Sequence, residues 1–181
     1  MRKAFRVIPW IILIVPFIVP AFYYDVINDQ ILVMRSFIGN QAIVAPKSLF
    51  TVFRVPLIEI VCGAAVEIMK SRYSRSEANA DSFSMWDILL YTVAFKSLFQ
   101  VFEFISSTVY YSPDYADVFF YATLFTVIGG ICLAIIKGRN ILLNFKRGEW
   151  KFSLREKVTF GILLAAYFVL AIAPMFIFKT V

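Results

Sequence analysis

The sequence contains no histidine. That removes the commonest general base, the usual axial haem ligand and the nitrogen ligand of zinc sites. Cysteine is almost as scarce. Cys62 and Cys132 stand alone in apolar runs, so no CxxC motif exists to support a redox or zinc site. The chain also lacks a GxxxxGK[ST] loop, a GxGxxG turn and a GxSxG elbow, which leaves the common phosphate-cradling and nucleophile signatures unrepresented. Charge is sparse as well. Only 17% of the 181 residues are charged, against about a quarter in a soluble domain. These absences predict a protein without metal or cofactor, and no enzyme.

What the chain has instead is apolar surface. Apolar and aromatic residues make up 61%, with 20 phenylalanines, and the mean hydropathy is +0.79. A single globular core of this length cannot hide that much apolar surface. The expectation is an all-α fold: one polytopic transmembrane bundle. A spanning helix needs about 20 mostly apolar residues. Five stretches qualify, at 7–24, 48–69, 86–109, 118–136 and 158–178. The second and third contain charges and give weaker hydropathy signals.

Lysine and arginine placement supports five spans. With the N-terminus inside, 13 of the 18 basic residues fall in inner segments, 3 in outer segments, and Arg54 and Lys96 within spans. This asymmetry is the positive-inside pattern of a multi-pass protein. It makes 70–84 and the basic loop 137–157 cytoplasmic, in a cell membrane, with a bacterial inner membrane as the setting. The first span also resembles a secretory signal, with Val19-Pro20-Ala21 as a cleavage site; a retained signal-anchor helix, bent at Pro9, Pro16 and Pro20, is the reading adopted. The net charge of +6 is better matched to topology signals and anionic lipid headgroups than to nucleic acid, and no direct nucleic-acid contact is expected.

Other signals are local. The segments 31–38 and 42–45 are too apolar for a free loop and too short to span. They are expected to lie in the interface or over the bundle. Tyr23, Tyr24, Tyr110, Tyr111 and Tyr115 mark the outer surface, and Trp10 and Trp86 the inner one. Ser84 to Asp87 and Ser153 to Glu156 read as capping boxes. Gly148 is a plausible stop for an extended fourth helix, whose residues 137–147 would project roughly 16 Å beyond the membrane.

The most informative residues are the charges inside the spans: Arg54, Glu59, Lys96 and Glu103. One charge at mid-span costs about 2.5–3.5 kcal/mol on insertion scales, so the two acids and two bases are expected to neutralise one another. If the second and third spans form an antiparallel hairpin, facing residues have a nearly constant sum of numbers. Arg54 then matches Glu103, and Glu59 matches Lys96. Lys96, Gln100, Glu103 and Ser107 make one polar stripe on the third helix. The angular fit favours the Glu59–Lys96 pair over the Arg54–Glu103 pair. Such a set either fixes helix register or forms a hydrated track for an ion, a proton or a voltage signal. Glu67 and Asp87 read as solvated carboxylates near the inner surface, with Asp87 capping its helix.

Gly130, Ala134 and Gly138 form a small-residue ridge that lets helix backbones approach closely, within one subunit or between copies. Cys62 and Cys132 read as small buried hydrophobes. Lys146, Arg147, Trp150, Lys151 and Phe152 form a basic-aromatic surface for lipid headgroups or a cytoplasmic protein.

Together these features predict a non-enzymatic integral membrane subunit that oligomerises, contacts membrane lipids and anchors or senses for a cytoplasmic partner. The alternative is a small ion or proton channel built on the charged stripe. The general plan, a small bundle with charges in its core and a basic cytoplasmic face, resembles in architecture the membrane subunits of anti-phage defence systems such as Kiwa. That resemblance implies a role in antiviral defence.

Overall fold

The first four predicted spans correspond to four long helices. The computed structural model describes residues 2–35, 42–76, 84–109, 113–138 and 154–172. It contains α1 (Arg2–Tyr23), α2 (Leu49–Ser76), α3 (Met85–Thr108), α4 (Pro113–Lys137) and α5 (Leu154–Tyr167). A short 3-10 turn, Tyr24–Val26, follows α1, and a π-helical turn, Phe168–Ile172, follows α5. Among the described residues, α1 to α4 carry stretches long and apolar enough to cross a membrane. The fifth predicted span is described only as far as residue 172, where its apolar helix is shorter.

Three prolines lie inside α1, which nevertheless runs as one helix. Pro9, Leu13, Pro16 and Pro20 recur at helical spacing and are all buried, while Ile11, Ile14, Ile18 and Phe22 are exposed. The rings therefore face the neighbouring helices. Each proline lacks the N–H that its i−4 carbonyl would accept, and in an apolar setting such a helix survives only where neighbouring elements compensate.

Helix starts follow from local chemistry. The Ser84 side chain accepts a bond from Asp87 N–H, and the Ser84 N–H donates to Asp87 Oδ2 at 2.8 Å. This is the capping box read from the sequence, and it sets where α3 begins. At α2, Thr51 N–H donates to Ser48 Oγ at 3.1 Å and Ser48 N–H donates to Thr51 Oγ1 at 2.8 Å. Residue 153 of the second expected box lies outside the described residues.

The connection between α1 and α2 packs over the bundle, one of the two placements expected of it, and does so as paired strands. It folds as an antiparallel hairpin of β1 (Gln30–Arg35) and β2 (Ala42–Pro46), with a bulge between Leu32 and Met34. The physical reason is backbone satisfaction. Apolar segments too short to form a spanning helix still carry N–H and C=O groups, and pairing the two strands satisfies them. Lys47 closes the base: its N–H donates to Asp29 O at 2.8 Å, its Nζ donates to Ile27 O at 3.0 Å, and Nζ lies 4.9 Å from the Tyr24 ring centre. Ile27, Ile31 and Val52 are buried together, with Tyr23, Tyr24 and Phe104 packed around them. The hairpin therefore covers one end of the bundle.

α3 is the central helix, packed against α1, α2 and α4, while α5 packs on α2. Gly63 of α2 lies between Leu13 of α1 and Leu90 of α3. Nearer the hairpin, Pro20, Thr51 and Phe104 from the same three helices meet around one pocket. α1 and α3 thus run parallel, with α2 antiparallel to both. Phe102 stacks on Phe119 at 5.4 Å, and Gly130 and Gly138 lie against Thr92 and Met85, so α4 is antiparallel to α3.

Candidate functional site

The α2–α3 seam brings together the central charges. Lys96 Nζ donates to Glu59 Oε1 and also to Gln100 Oε1, the latter at 3.1 Å. Glu59 is only 1% exposed, whereas the Lys96 side chain keeps 28% of its surface open. Burying a lone carboxylate this deeply is strongly unfavourable, and a hydrogen-bonded ammonium offsets much of that cost. Gln100 sits four residues after Lys96 on the same face of α3, where helical side chains meet.

Farther toward the hairpin the seam opens into a pocket. Arg54 and Thr51 of α2, Gln100 and Phe104 of α3, and Pro20 of α1 line it. Arg54 is buried, at 6% exposure. Pro56 also lines the pocket. It cannot donate a hydrogen bond, so the Val52 carbonyl loses its helical partner there. Glu103 is half-buried on α3, just past Gln100 along the polar stripe. Gln100 thus belongs both to the pocket and to the ion-pair network.

A second ion pair closes the opposite end of the seam. Lys70 Nζ lies 2.7 Å from Asp87 Oδ1, with the side chains 12% and 15% exposed. Asp87 therefore caps α3 and also binds α2, so the reading of it as a solvated carboxylate is corrected. The hairpin rule of constant residue sum matches Lys70 to Asp87 as well as it matches Glu59 to Lys96, but hydropathy hides the pair because both residues fall at the nominal surface. Glu67 is the more open carboxylate, at 41%, and lies 3.8 Å from Lys70.

The α3–α4 seam is closed by size instead of charge. A Cβ at Gly130 would stand 2.6 Å from Thr92 Cγ2 and 2.8 Å from Thr92 Cβ. One at Gly138 would stand 2.9 Å from the Ala134 carbonyl and 3.0 Å from Met85 Cγ. Ala134 is buried with Met85 and Trp86. The small-residue ridge thus faces α3 of the same chain. Trp86 is correspondingly buried, not open at a membrane rim, and Cys132 is exposed on the far side of α4 instead of being a core residue. Lys146, Arg147, Trp150, Lys151 and Phe152 lie outside the described residues.

No group of three or more metal-ligating side chains occurs among the described residues. The constellation can hold charge, bind water and move protons over short distances. Comparisons with protein-family models, with curated proteins and with solved structures find no match to this chain.

Proposed function

We propose that the protein is a non-enzymatic multi-pass membrane subunit that anchors or senses on behalf of a cytoplasmic partner. The observation that carries this reading is the inverted distribution of polarity. Glu59 and Arg54 are buried, while Ile11, Ile14, Phe22, Phe125, Ile128 and Ile136 are open on the outside of the helices. That arrangement suits a lipid surround, where spanning helices satisfy their own backbone and turn ionisable groups inward. The 13-to-3 charge bias then directs the basic segments 70–84 and 137–157 to the cytoplasm.

In this reading the paired charges hold α2 to α3, and the basic-aromatic residues from Lys146 to Phe152 meet lipid headgroups or the partner. Self-association has to use a face other than the Gly130–Gly138 ridge, because α3 fills that ridge. A role in antiviral defence belongs to the same proposal through the resemblance in architecture. The channel reading is weaker, because Lys96 pairs with the buried Glu59, and Leu13 and Leu90 pack tightly against Gly63 on the side of Glu59 away from the pocket.

Site-directed labelling tests the arrangement. Single cysteines at positions 78 and 112, in a background lacking Cys62 and Cys132, are challenged with an impermeant thiol reagent in intact cells. Position 112 is expected to react and position 78 to stay protected; labelling of 78 from outside overturns the topology. Replacing Arg147 and Trp150 with Ala is expected to leave insertion intact and to abolish recovery of a co-purifying cytoplasmic protein. Unchanged recovery removes the anchor function.

A further inference from the structure

The hairpin rests one face on the bundle and leaves an edge without a strand partner. We infer that β2 pairs edge to edge with β2 of a second copy, joining the two hairpins into one continuous antiparallel sheet across a dimer. The inference rests on the membrane-subunit reading and gives its self-association a surface other than the ridge that α3 fills.

The hairpin lies flat on the helix ends. Ile31 and Ala45 are register partners, so their side chains leave the same face of the sheet. They are 0% and 2% exposed, and Ile31 packs with Ile27, Val52 and Phe104. The neighbouring partners Gln30 and Pro46 face the other way and are exposed. With one face down on α2 and α3, the edges point sideways, along the membrane plane. An antiparallel strand pair has its two-fold axis perpendicular to the sheet, and that axis is here the membrane normal. Pairing two such edges keeps both copies upright in one bilayer, in the closed two-fold arrangement commonest among homo-oligomers.

The free groups on β2 follow from the ladder. Lys47 N–H donates to Asp29 O, and these two residues continue the register of Gln30 with Pro46 and Ile31 with Ala45. Bonded and non-bonded pairs alternate along an antiparallel ladder. Ile43, Ala45 and Lys47 therefore turn their backbone groups toward β1, while Ala42, Val44 and Pro46 turn theirs away. Pro46 fits this assignment, because an edge position asks for no N–H, and its carbonyl accepts from Thr51 Oγ1 at 3.0 Å. The N–H and C=O groups of Ala42 and Val44 remain. Among the described residues the sheet has no third strand to take them, and such an edge is a template for another strand.

The edge is complementary to itself. With Ile43 on the two-fold axis, Ala42 of each copy faces Val44 of the other. Each of these N–H groups then meets a carbonyl, and none is aimed at a proline nitrogen. β1 is the poorer edge. It is bulged between Leu32 and Met34 and ends on Arg35, two features that block strand addition, whereas β2 carries no charged residue.

Disulfide cross-linking of the full chain in native membranes tests this, in a background lacking Cys62 and Cys132. Ile43→Cys meets its own copy in a non-bonded antiparallel pair, with Cα atoms about 4.5 Å apart, inside the range that a disulfide bridges. Mild oxidation is expected to give a species of twice the 20.8 kDa chain mass. Leu32→Cys on β1 and Phe125→Cys on the exposed side of α4 are expected to stay at the single-chain mass. Val44→Pro removes one outward N–H and leaves the bonds to β1 in place; combined with Ile43→Cys, it is expected to abolish most of the dimer band. No dimer at position 43, a stronger one at 32 or 125, a cross-linked product of any other mass, or an undiminished band after Val44→Pro overturns the inference. The pattern across positions 32, 43 and 125 decides by itself should Val44→Pro fail to insert. Protein that is extracted from the membranes by alkaline carbonate defeats the membrane-subunit reading, independently of any cross-link.

Discussion

α3 is held on one side by charge and on the other by closeness. Against α2 it places Lys96 on Glu59 and Asp87 on Lys70. Against α4 it places Thr92 and Met85 on glycines that leave no room for a methyl group. The difference reflects what each seam must accomplish. Between apolar helices in lipid there is no hydrophobic drive to associate, so association comes from van der Waals packing and interhelical polar contacts. The α2–α3 seam uses directional polar contacts, which fix depth and register. The α3–α4 seam uses area of contact, which tolerates no added volume but carries no charge.

The largest expected break is in the charged seam. Glu59→Ala leaves Lys96 without its carboxylate, and removing one partner of a buried pair costs about 3–5 kcal/mol. Denaturant titration in detergent micelles measures this. The double variant Glu59→Gln with Lys96→Met is expected to recover much of the loss, because both charges are then gone. Equal damage from single and double variants means that the pair does not hold the seam.

The size-closed seam is expected to break less severely and with a built-in control. Gly130→Ala forces a methyl group onto Thr92, whose hydroxyl donates to Ile88 O at 2.8 Å and so resists rotation. Overpacking of this kind costs about 1–3 kcal/mol. Gly129, one residue away, has nothing within 4 Å of a built Cβ. Gly129→Ala is expected to be neutral or to stabilise by up to about 1 kcal/mol, through helix propensity alone. The same melting experiment on both variants should give opposite signs. A shared sign means that the ridge does not face α3 in solution.

The smallest effect sharpens the end of the charged seam. Ser84→Ala removes the cap of α3 and one polar contact to Asp87, at a cost of about 1 kcal/mol. Hydrogen exchange is expected to speed up in the first turn of α3 and to stay unchanged at Ala94. Uniform acceleration along α3 assigns Asp87 to the Lys70 ion pair in place of the local cap.

Much of the charged seam was legible in the sequence. The matching depths of Glu59 and Lys96 and the spacing of Lys96 and Gln100 needed only an antiparallel hairpin and the pitch of a helix. The Lys70–Asp87 pair was equally encoded but masked by a hydropathy boundary, which assigns charges near a helix end to solvent. The size-closed seam was half legible. The spacing of Gly130, Ala134 and Gly138 announces a close approach, yet says nothing of which helix approaches.

The amino-acid sequence by itself determined the kind of molecule. An apolar composition with charges confined to a few places calls for helices whose backbones are satisfied internally, and the chain offers no imidazole to any site. Those properties are local, and composition and periodicity report them directly. Only the tertiary structure decided which faces meet. It turned Pro9, Pro16 and Pro20 inward, paired Gln30–Arg35 with Ala42–Pro46, buried Trp86 and left Cys132 outside. The reason is that a lipid tail and a neighbouring helix are equally apolar. A hydrophobic face carries no mark of which of the two will cover it, so the choice falls to shape, to glycine clearance and to the few charges that must find each other.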